Sequence, residues 1–182
     1  MEKRVLLLTG SPGVGKTTVL LKVVESLKAK GYNVGGMISR EARSGGVRVG
    51  FEVLDLSSDR RGWLAHVNQP IGPQVGKYRV NLEDLNSIGA EAIVKAVDKC
   101  DVIAIDEVGP MELFSERFKE AVKRAVECRK VVVGVVRWKA RDRLIEEVKK
   151  REDAEVIVVT IENRNKLHEN IVGKVIDFFG LL

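Results

Sequence analysis

The segment GSPGVGKTT, from Gly10 to Thr18, most narrows what this chain can fold into. It matches the phosphate-binding loop pattern Gly-x4-Gly-Lys-Ser/Thr, which ends here with Lys16 and Thr17. The apolar run RVLLLTG, from Arg4 to Gly10, predicts a strand that is buried on both faces of a sheet. After the loop, apolar residues recur at helical spacing from Lys16 to Lys30. Strand, loop and helix therefore follow one another in the order that this pattern requires.

The residue types in the loop suit the phosphates of a nucleoside triphosphate with Mg²⁺. Glycines let backbone N–H groups turn toward a phosphate, and the helix N-terminus adds the positive end of its dipole. We expect Lys16 to bring its charge to the outer phosphates and Thr17 to give its hydroxyl to Mg²⁺. A glycine turn formed by chance is the alternative, and the complete spacing argues against it. The predicted nucleotide-binding residues of the loop are Gly10, Ser11, Pro12, Gly13, Val14, Gly15, Lys16, Thr17 and Thr18.

The second half of the chain predicts an α/β fold with a mainly parallel sheet and helices on both faces. The apolar strands DVIAIDE, KVVVGVV and AEVIVVTI alternate with helices expected over Arg117 to Cys128, Ala140 to Arg151 and Arg164 to Phe179. Another helix is expected from Leu82 to Lys99. No linker-like segment divides the 182 residues, which predicts one domain over the whole chain.

The segment between the first helix and residue 80 predicts additions to that sheet. NVGGMISREARSGGVRVGFEVLDL has glycines at 45 and 46 between two strand-like runs, which indicates an early β-hairpin. Short strands are expected around GWLAHV and KYRV. Arg40, Arg43 and Arg48 of the hairpin could contact phosphates or a partner, although a solvated hairpin is favoured.

A second motif, DVIAIDE, supplies the carboxylates that a phosphate-binding loop needs. Four apolar residues lead to Asp106 at the carboxyl end of a buried strand, where open α/β sheets bind ligands. We expect Asp106 to hold Mg²⁺ and Glu107 to accept the proton of a water that attacks the terminal phosphate. An exposed acid at the strand end is the alternative for Glu107. Asp101, at the other end of the strand, is expected to be structural.

The segment DEVG, from Asp106 to Gly109, also fits the Asp-x-x-Gly pattern of GTP-binding switch proteins. Those proteins need a guanine-reading Asn-Lys-x-Asp, but this chain has NKLH from Asn165 to His168. The Asp-Glu pair is instead typical of ATPases with a catalytic glutamate, which have an added strand between the loop strand and the Asp-Glu strand. KVVVGVVR is the candidate for that strand and would place Arg137 beside the terminal phosphate. A surface position is the alternative for Arg137.

Composition restricts the partners of the chain. The net charge of +5 permits contact with nucleic acid, but the 31 basic residues are scattered among 26 acidic ones, so a solvated surface is favoured. The apolar runs are too short to span a bilayer, which predicts no membrane segment. The N-terminal apolar run ends in the glycine loop, so its removal as a signal peptide would destroy that motif, and we expect a cytoplasmic protein. Abundant Glu, Lys and Arg with few Gln are typical of thermophiles. Trp63 and Trp138 could stack on a base, although packing against the sheet is favoured for both.

The chain resembles the small P-loop nucleoside-triphosphatases first recognised in hyperthermophiles, a family that includes the cancer-related nucleoside-triphosphatase. The similarity runs through TGSPGVGKTT, GGMISREARSGGVRVGF, RGWLAH, VGKYRVNLEDL and IDEVGPMELFS, and so covers nearly the whole chain. It implies Mg²⁺-dependent hydrolysis of the terminal phosphate of ATP, GTP and other nucleoside triphosphates with little base selectivity. It also implies a nucleotide site lined by the loop and by Asp101, Val102, Ile103, Ala104, Ile105, Asp106, Glu107 and Val108.

Two other classes of function share the loop. A kinase would pass the phosphate to a small molecule or a polynucleotide end, with the hairpin and the stretch from Arg60 to Val80 as its acceptor site. A non-catalytic module would bind nucleotide only to change shape and engage a partner. Glu107 argues against the second class because a module of that kind needs no base.

Overall fold

The computed structural model describes residues 2–139 and 141–181. Its strands are β1 Val5–Thr9, β2 Val34–Ser44, β3 Val47–Asp55, β4 Arg61–His66, β5 Gln74–Val75, β6 Tyr78–Val80, β7 Val102–Val108, β8 Val131–Val136 and β9 Ala154–Val158. Its helices are α1 Lys16–Ala29, α2 Leu82–Asp84, α3 Glu91–Lys99, α4 Glu116–Glu127, α5 Arg143–Lys149 and α6 Leu167–Gly180. A π-helical turn, Leu85–Ala90, joins α2 to α3, and a 3₁₀ turn, Glu112–Phe114, precedes α4.

The strands of the described residues form one sheet in the order β5-β6-β4-β3-β2-β7-β8-β1-β9. The half from β2 to β9 is parallel, and β3, β4, β6 and β5 extend it by antiparallel pairing. Strand β8 lies between the loop strand β1 and the Asp-Glu strand β7, which confirms the predicted added strand. The early hairpin is also confirmed, because β2 and β3 pair around a turn at Gly45 and Gly46.

Two cores cover the two faces of the parallel half. Alternate residues of β1 enter different cores, because successive side chains of a strand point to opposite faces. Leu6 and Leu8 pack with α1 and α6, whereas Val5 and Leu7 pack with α3, α4 and α5. Burial on both faces explains why the central strands are continuous apolar runs rather than alternating ones. Among the described residues, no helix is both long and apolar enough to cross a bilayer.

The elements differ from the sequence prediction mainly at four places. The closing helix, expected from Arg164, begins at Leu167. The helix expected from Leu82 to Lys99 contains the π-helical turn, where a Cβ on Gly89 would meet Val53 on β3 at 3.2 Å. The helix expected from residue 140 begins at Arg143, because Asp142 caps it by accepting the N–H groups of two following residues; Ala140 lies outside the described residues. The last strand ends at Val158 and not at residue 161, because the chain turns there.

Candidate functional site

The loop between β1 and α1 takes a conformation that glycine makes possible. Gly10 has a φ of +150°, and a Cβ there would lie 2.7 Å from the carbonyl oxygen of Val159. Gly15, the N-cap residue that precedes α1, has a φ of +110° in the left-handed region, which L side chains rarely adopt. Nζ of Lys16 donates to the carbonyl oxygens of Gly10 and Ser11, each at 2.9 Å. The ammonium group is therefore held against the first two residues of the loop.

Asp106 lies at the carboxyl end of β7, paired with Ile38 on β2 and Val135 on β8. Asp106 is only 3 % exposed, and Oδ2 of its carboxyl group has no hydrogen-bond partner among the described residues. Burial raises the pKa of Asp106 to about 7; the hydroxyl of Thr17 and the charge of Lys16 lower it. A buried carboxylate oxygen without a partner, beside a hydroxyl, fits the donor set that Mg²⁺ takes in phosphate sites. Asp106 and Thr17 are thus the residues that could hold the metal.

Glu107 reaches the same site because the pairing of β7 with β8 is interrupted. Asp106 pairs with Val135 and Val108 with Val136, so Glu107 is passed over in the register. In a regular strand, neighbouring side chains would point to opposite faces. Here the charge of Lys16 lowers the pKa of both acids. Burial is the larger effect on Glu107 and raises its pKa above the ordinary value.

Arg137 follows the end of β8 and lies close to Glu107. Its charge lowers the pKa of Glu107 against the effect of burial. Its backbone carbonyl accepts a hydrogen bond from Nζ of Lys149 at 3.1 Å, and the carbonyl of Trp138 accepts from the same Nζ at 3.4 Å. Helix α5 therefore positions the segment that carries Arg137. No sequence pattern indicates this role of Lys149, because Lys149 and Arg137 meet only through the fold.

Glu112 is a buried acid beside the site that the sequence reading did not single out. It lies in the 3₁₀ turn after β7 and is 3 % exposed. Burial raises its pKa well above the ordinary value, and the nearby charge of Glu107 raises it further, while N–H groups of Glu112 itself and of Gly109 act in the opposite direction. An acid within the apolar segment PMELF was the available signal. Glu112 thus adds a third carboxyl group to this end of β7.

A comparison with known proteins identifies the family to which the chain belongs. A family model described as NTPase matches residues 5–172. The nucleoside-triphosphatase THEP1 of Thermofilum pendens is 42% identical to the chain, over 96% of the chain and 97% of that relative. The chain belongs to the NTPase family. The resemblance inferred from the sequence motifs is confirmed.

Other members of the NTPase family agree with this assignment. The nucleoside-triphosphatase THEP1 of Methanocaldococcus jannaschii is 40% identical over 94% of the chain and 96% of its own length. The crystal structure of THEP1 from Aquifex aeolicus superposes with a TM-score of 0.84 at 29% identity, covering 94% of this chain and 98% of that one. The solution structure of a human cancer-related nucleoside triphosphatase gives 0.81 at 37% identity, covering 94% and 97%. The P-loop NTPase fold expected from the sequence is confirmed.

The structure narrows the site that the family resemblance implied along β7. Asp101 precedes the strand at the end opposite Asp106, where its Oδ2 accepts the backbone N–H of Asn33 at 2.8 Å. The residues from 102 to 105 alternate between the two cores. Asp101, Val102, Ile103, Ala104 and Ile105 are therefore left out of the candidate site. The part of β7 that remains in this NTPase-family site begins at Asp106.

Arg164 is another residue near the loop that sequence reasoning missed. It follows β9, and its Nη1 donates to the carbonyl oxygen of Val14 at 3.2 Å. Its Cδ would lie 3.6 Å from a Cβ on Gly15. Because 150 residues separate Arg164 from Val14, only the pairing of β9 with β1 brings them together. Arg164 thus braces the phosphate-binding loop from the outside.

Proposed function

We propose that this NTPase-family protein hydrolyses the terminal phosphate of nucleoside triphosphates at the loop Gly10–Thr18, with Asp106, Glu107 and Arg137 as the other parts of the site. Family membership gives the activity. The observation that carries the residue assignment is that Asp106 and Glu107, adjacent in sequence, both lie where the charge of Lys16 acts on them. Lys16 would hold the outer phosphates of the bound nucleotide.

Mg²⁺ is the cofactor that this donor set supports. Asp106 and Thr17 would hold the ion together with oxygens of the nucleotide, since Mg²⁺ usually binds through one or two protein groups plus substrate phosphates. A bound Mg²⁺ ion neutralises part of the charge on the phosphates. The buried Oδ2 of Asp106, which lacks a partner among the described residues, supports this assignment.

Glu107 has the properties of a general base for the attacking water. Burial raises the pKa of its carboxyl group, and a base accepts a proton more readily as its pKa rises toward the working pH. Arg137 lies close to Glu107 and would stabilise the charge that develops on the transferred phosphoryl group. In this arrangement Glu107 takes the proton of water, and Lys16 and Arg137 stay charged throughout.

The decisive experiment separates hydrolysis from transfer and tests the metal assignment. Release of inorganic phosphate from ATP and GTP would be followed with Mg²⁺, with excess chelator, and for Asp106→Asn. We expect similar rates for both nucleotides, loss of activity with chelator, and a large loss in the variant. The kinase alternative would replace this proposal if phosphate were released only when an acceptor hydroxyl is supplied. A hundredfold preference for one base would contradict the low base selectivity.

A further inference from the structure

A cavity of about 630 Å³ opens beside the phosphate-binding loop, at the carboxyl edge of the parallel strands. Ser11 and Pro12 of the loop form one side of it. The segment after β8 and the turn after β9 form the other sides. The volume lies within the usual range of small-molecule sites, about 300–1,000 Å³. Ser11 belongs both to the phosphate-binding loop and to the lining of the cavity. The cavity therefore continues directly from the place where the phosphates would lie.

Three large apolar side chains that line this cavity are exposed, and Trp138 and Ile161 are more exposed than the third, Val158. Trp138 is 45 % exposed and Ile161 is 67 % exposed, and both line the cavity from different segments. The sequence reading favoured packing of Trp138 against the sheet, and the structure contradicts it. Single exposed apolar residues are common on protein surfaces, but two that share one concave site are typical of a ligand pocket.

Hydrogen bonds fix both segments that carry these side chains. Lys149 holds the carbonyl groups of Arg137 and Trp138, as described above. In the turn after β9, Oδ1 of Asn163 accepts the N–H of Thr160 at 2.9 Å, and Nδ2 of Asn163 donates to the carbonyl of Val158 at 2.8 Å. The walls of the cavity are therefore set by the fold before a ligand arrives, which lowers the entropy cost of binding.

We propose that this cavity binds the base and ribose of the nucleotide, with the base between the Trp138 ring and the Ile161 side chain. This inference deepens the proposed function and rests on it, because the phosphates must first occupy the adjacent loop. Every base has a π face, so stacking on an aromatic ring is tolerant of base identity. The cavity thus provides a physical reason for low base selectivity.

Glu162, an acidic residue in the turn after β9, also lines the cavity but is compatible with low base selectivity. The carboxylate of Glu162, which could read a guanine edge, accepts its own backbone N–H and the Thr160 hydroxyl, and these bonds lower its pKa. Because these local hydrogen bonds already engage the Glu162 carboxylate, we expect the base to bind in the cavity by shape and stacking, without a base-specific hydrogen bond from Glu162. Lys139 also lines the cavity, and its positive charge favours a ligand that carries phosphate groups.

The test compares nucleotide with a probe that has phosphates but no base. We would measure the binding of ATP and of inorganic tripolyphosphate to the wild type, Trp138→Ala and Trp138→Phe by calorimetry. We expect Trp138→Ala to weaken ATP binding by about tenfold or more while tripolyphosphate binding stays unchanged, and Trp138→Phe to retain most of the ATP affinity. Unchanged ATP affinity in Trp138→Ala, or an equal loss for both ligands, would overturn the proposal.

An isoleucine pair gives a second, independent measurement. Ile161→Ala removes an exposed apolar side chain that lines the cavity, whereas Ile71→Ala removes an isoleucine that is 80 % exposed and is not among the lining residues. We expect only Ile161→Ala to weaken ATP binding; equal effects of the two changes would contradict the base position. Failure of the hydrolase proposal is distinguishable, because the wild type would then release no phosphate from ATP whatever these variants do.

Discussion

A Cβ atom on Gly109 would lie 2.6 Å from Oε1 of Glu107, closer than real Cβ contacts come. The carboxyl group of Glu107 therefore occupies space that only a glycine two residues later leaves open. Gly109 of the DEVG motif is therefore explained by the space that the Glu107 side chain needs. This explanation differs from the GTP-switch interpretation of the same motif. In this fold the glycine is needed for the position of the carboxylate before it.

We expect Gly109→Ala to lower turnover at least tenfold, because the added methyl group must displace the Glu107 carboxyl group from its position. Nucleotide affinity should stay near the wild-type value, since the phosphate-binding loop is untouched. Steady-state phosphate release and ATP binding would be measured side by side. Gly173→Ala in α6 is the matched control, because a Cβ there meets nothing within 4 Å. Wild-type turnover in Gly109→Ala would show that the carboxylate position does not matter.

The change Glu107→Gln keeps the size of the side chain and removes its capacity to act as a base. We expect binding of MgATP close to that of the wild type and hydrolysis slower by roughly a hundred to ten thousand times, the usual worth of a positioned base. Asp101→Asn, at the opposite end of β7, is the control and should leave turnover unchanged. Hydrolysis at the wild-type rate in Glu107→Gln would exclude Glu107 as the base.

Arg137→Ala tests whether this arginine acts on the transition state. We expect a loss of turnover of about a hundredfold or more with nucleotide affinity nearly intact, because a charge that meets the transferred phosphoryl group acts mainly after binding. Arg143→Ala provides the comparison, since Arg143 is an exposed arginine of α5 that pairs with Glu147. A purely affinity-based effect of Arg137→Ala would assign Arg137 to binding and not to the chemical step.

The buried Glu112 predicts a pH dependence of stability. Its pKa is raised in the folded state, so the folded protein keeps a proton that the unfolded chain releases near the ordinary value of 4.5. The free energy of unfolding must then fall as the pH rises from that value toward the folded pKa, by about 1.4 kcal/mol for each unit of difference. Asp106 and Glu107 act in the same direction.

The variant Glu112→Gln isolates that contribution, because a glutamine cannot release the proton. Urea unfolding of the wild type and the variant would be measured at pH 5 and at pH 8. We expect the variant to gain stability relative to the wild type at the higher pH, whatever fixed difference the lost carboxyl group causes. The same difference at both pH values would show that Glu112 titrates alike in the folded and unfolded chains.

The parts of the site that the sequence predicted depend on local spacing. Lys16 and Thr17 stand at fixed distances from the glycines of their loop, and Asp106 ends a strand whose apolar run is visible in one dimension. The added strand between β1 and β7 was predicted from the Asp-Glu pair, because ATPases with such a pair are known to have a strand at that position. These features are encoded within a few residues of one another, which is why pattern reasoning recovers them.

The parts that the sequence did not predict depend on contacts between distant segments. Lys149 and Arg164 are ordinary surface-type residues in the sequence, and each acquires its role from a carbonyl group on another element. The register break at Glu107 depends on β8 as much as on β7. Exposure of Trp138 depends on where β8 ends, which apolar periodicity cannot fix. None of these features can be predicted without the tertiary structure.

The neighbours of β1 impose an order of events on the newly made chain. This strand is translated before both of its partners, which are β8, Val131–Val136, and β9, Ala154–Val158. A pairing across so many residues forms late, because the intervening chain must be closed into a loop before the contact repays it. The phosphate-binding loop is therefore translated well before the strands that flank β1, and it lacks their support until β8 and β9 have been made.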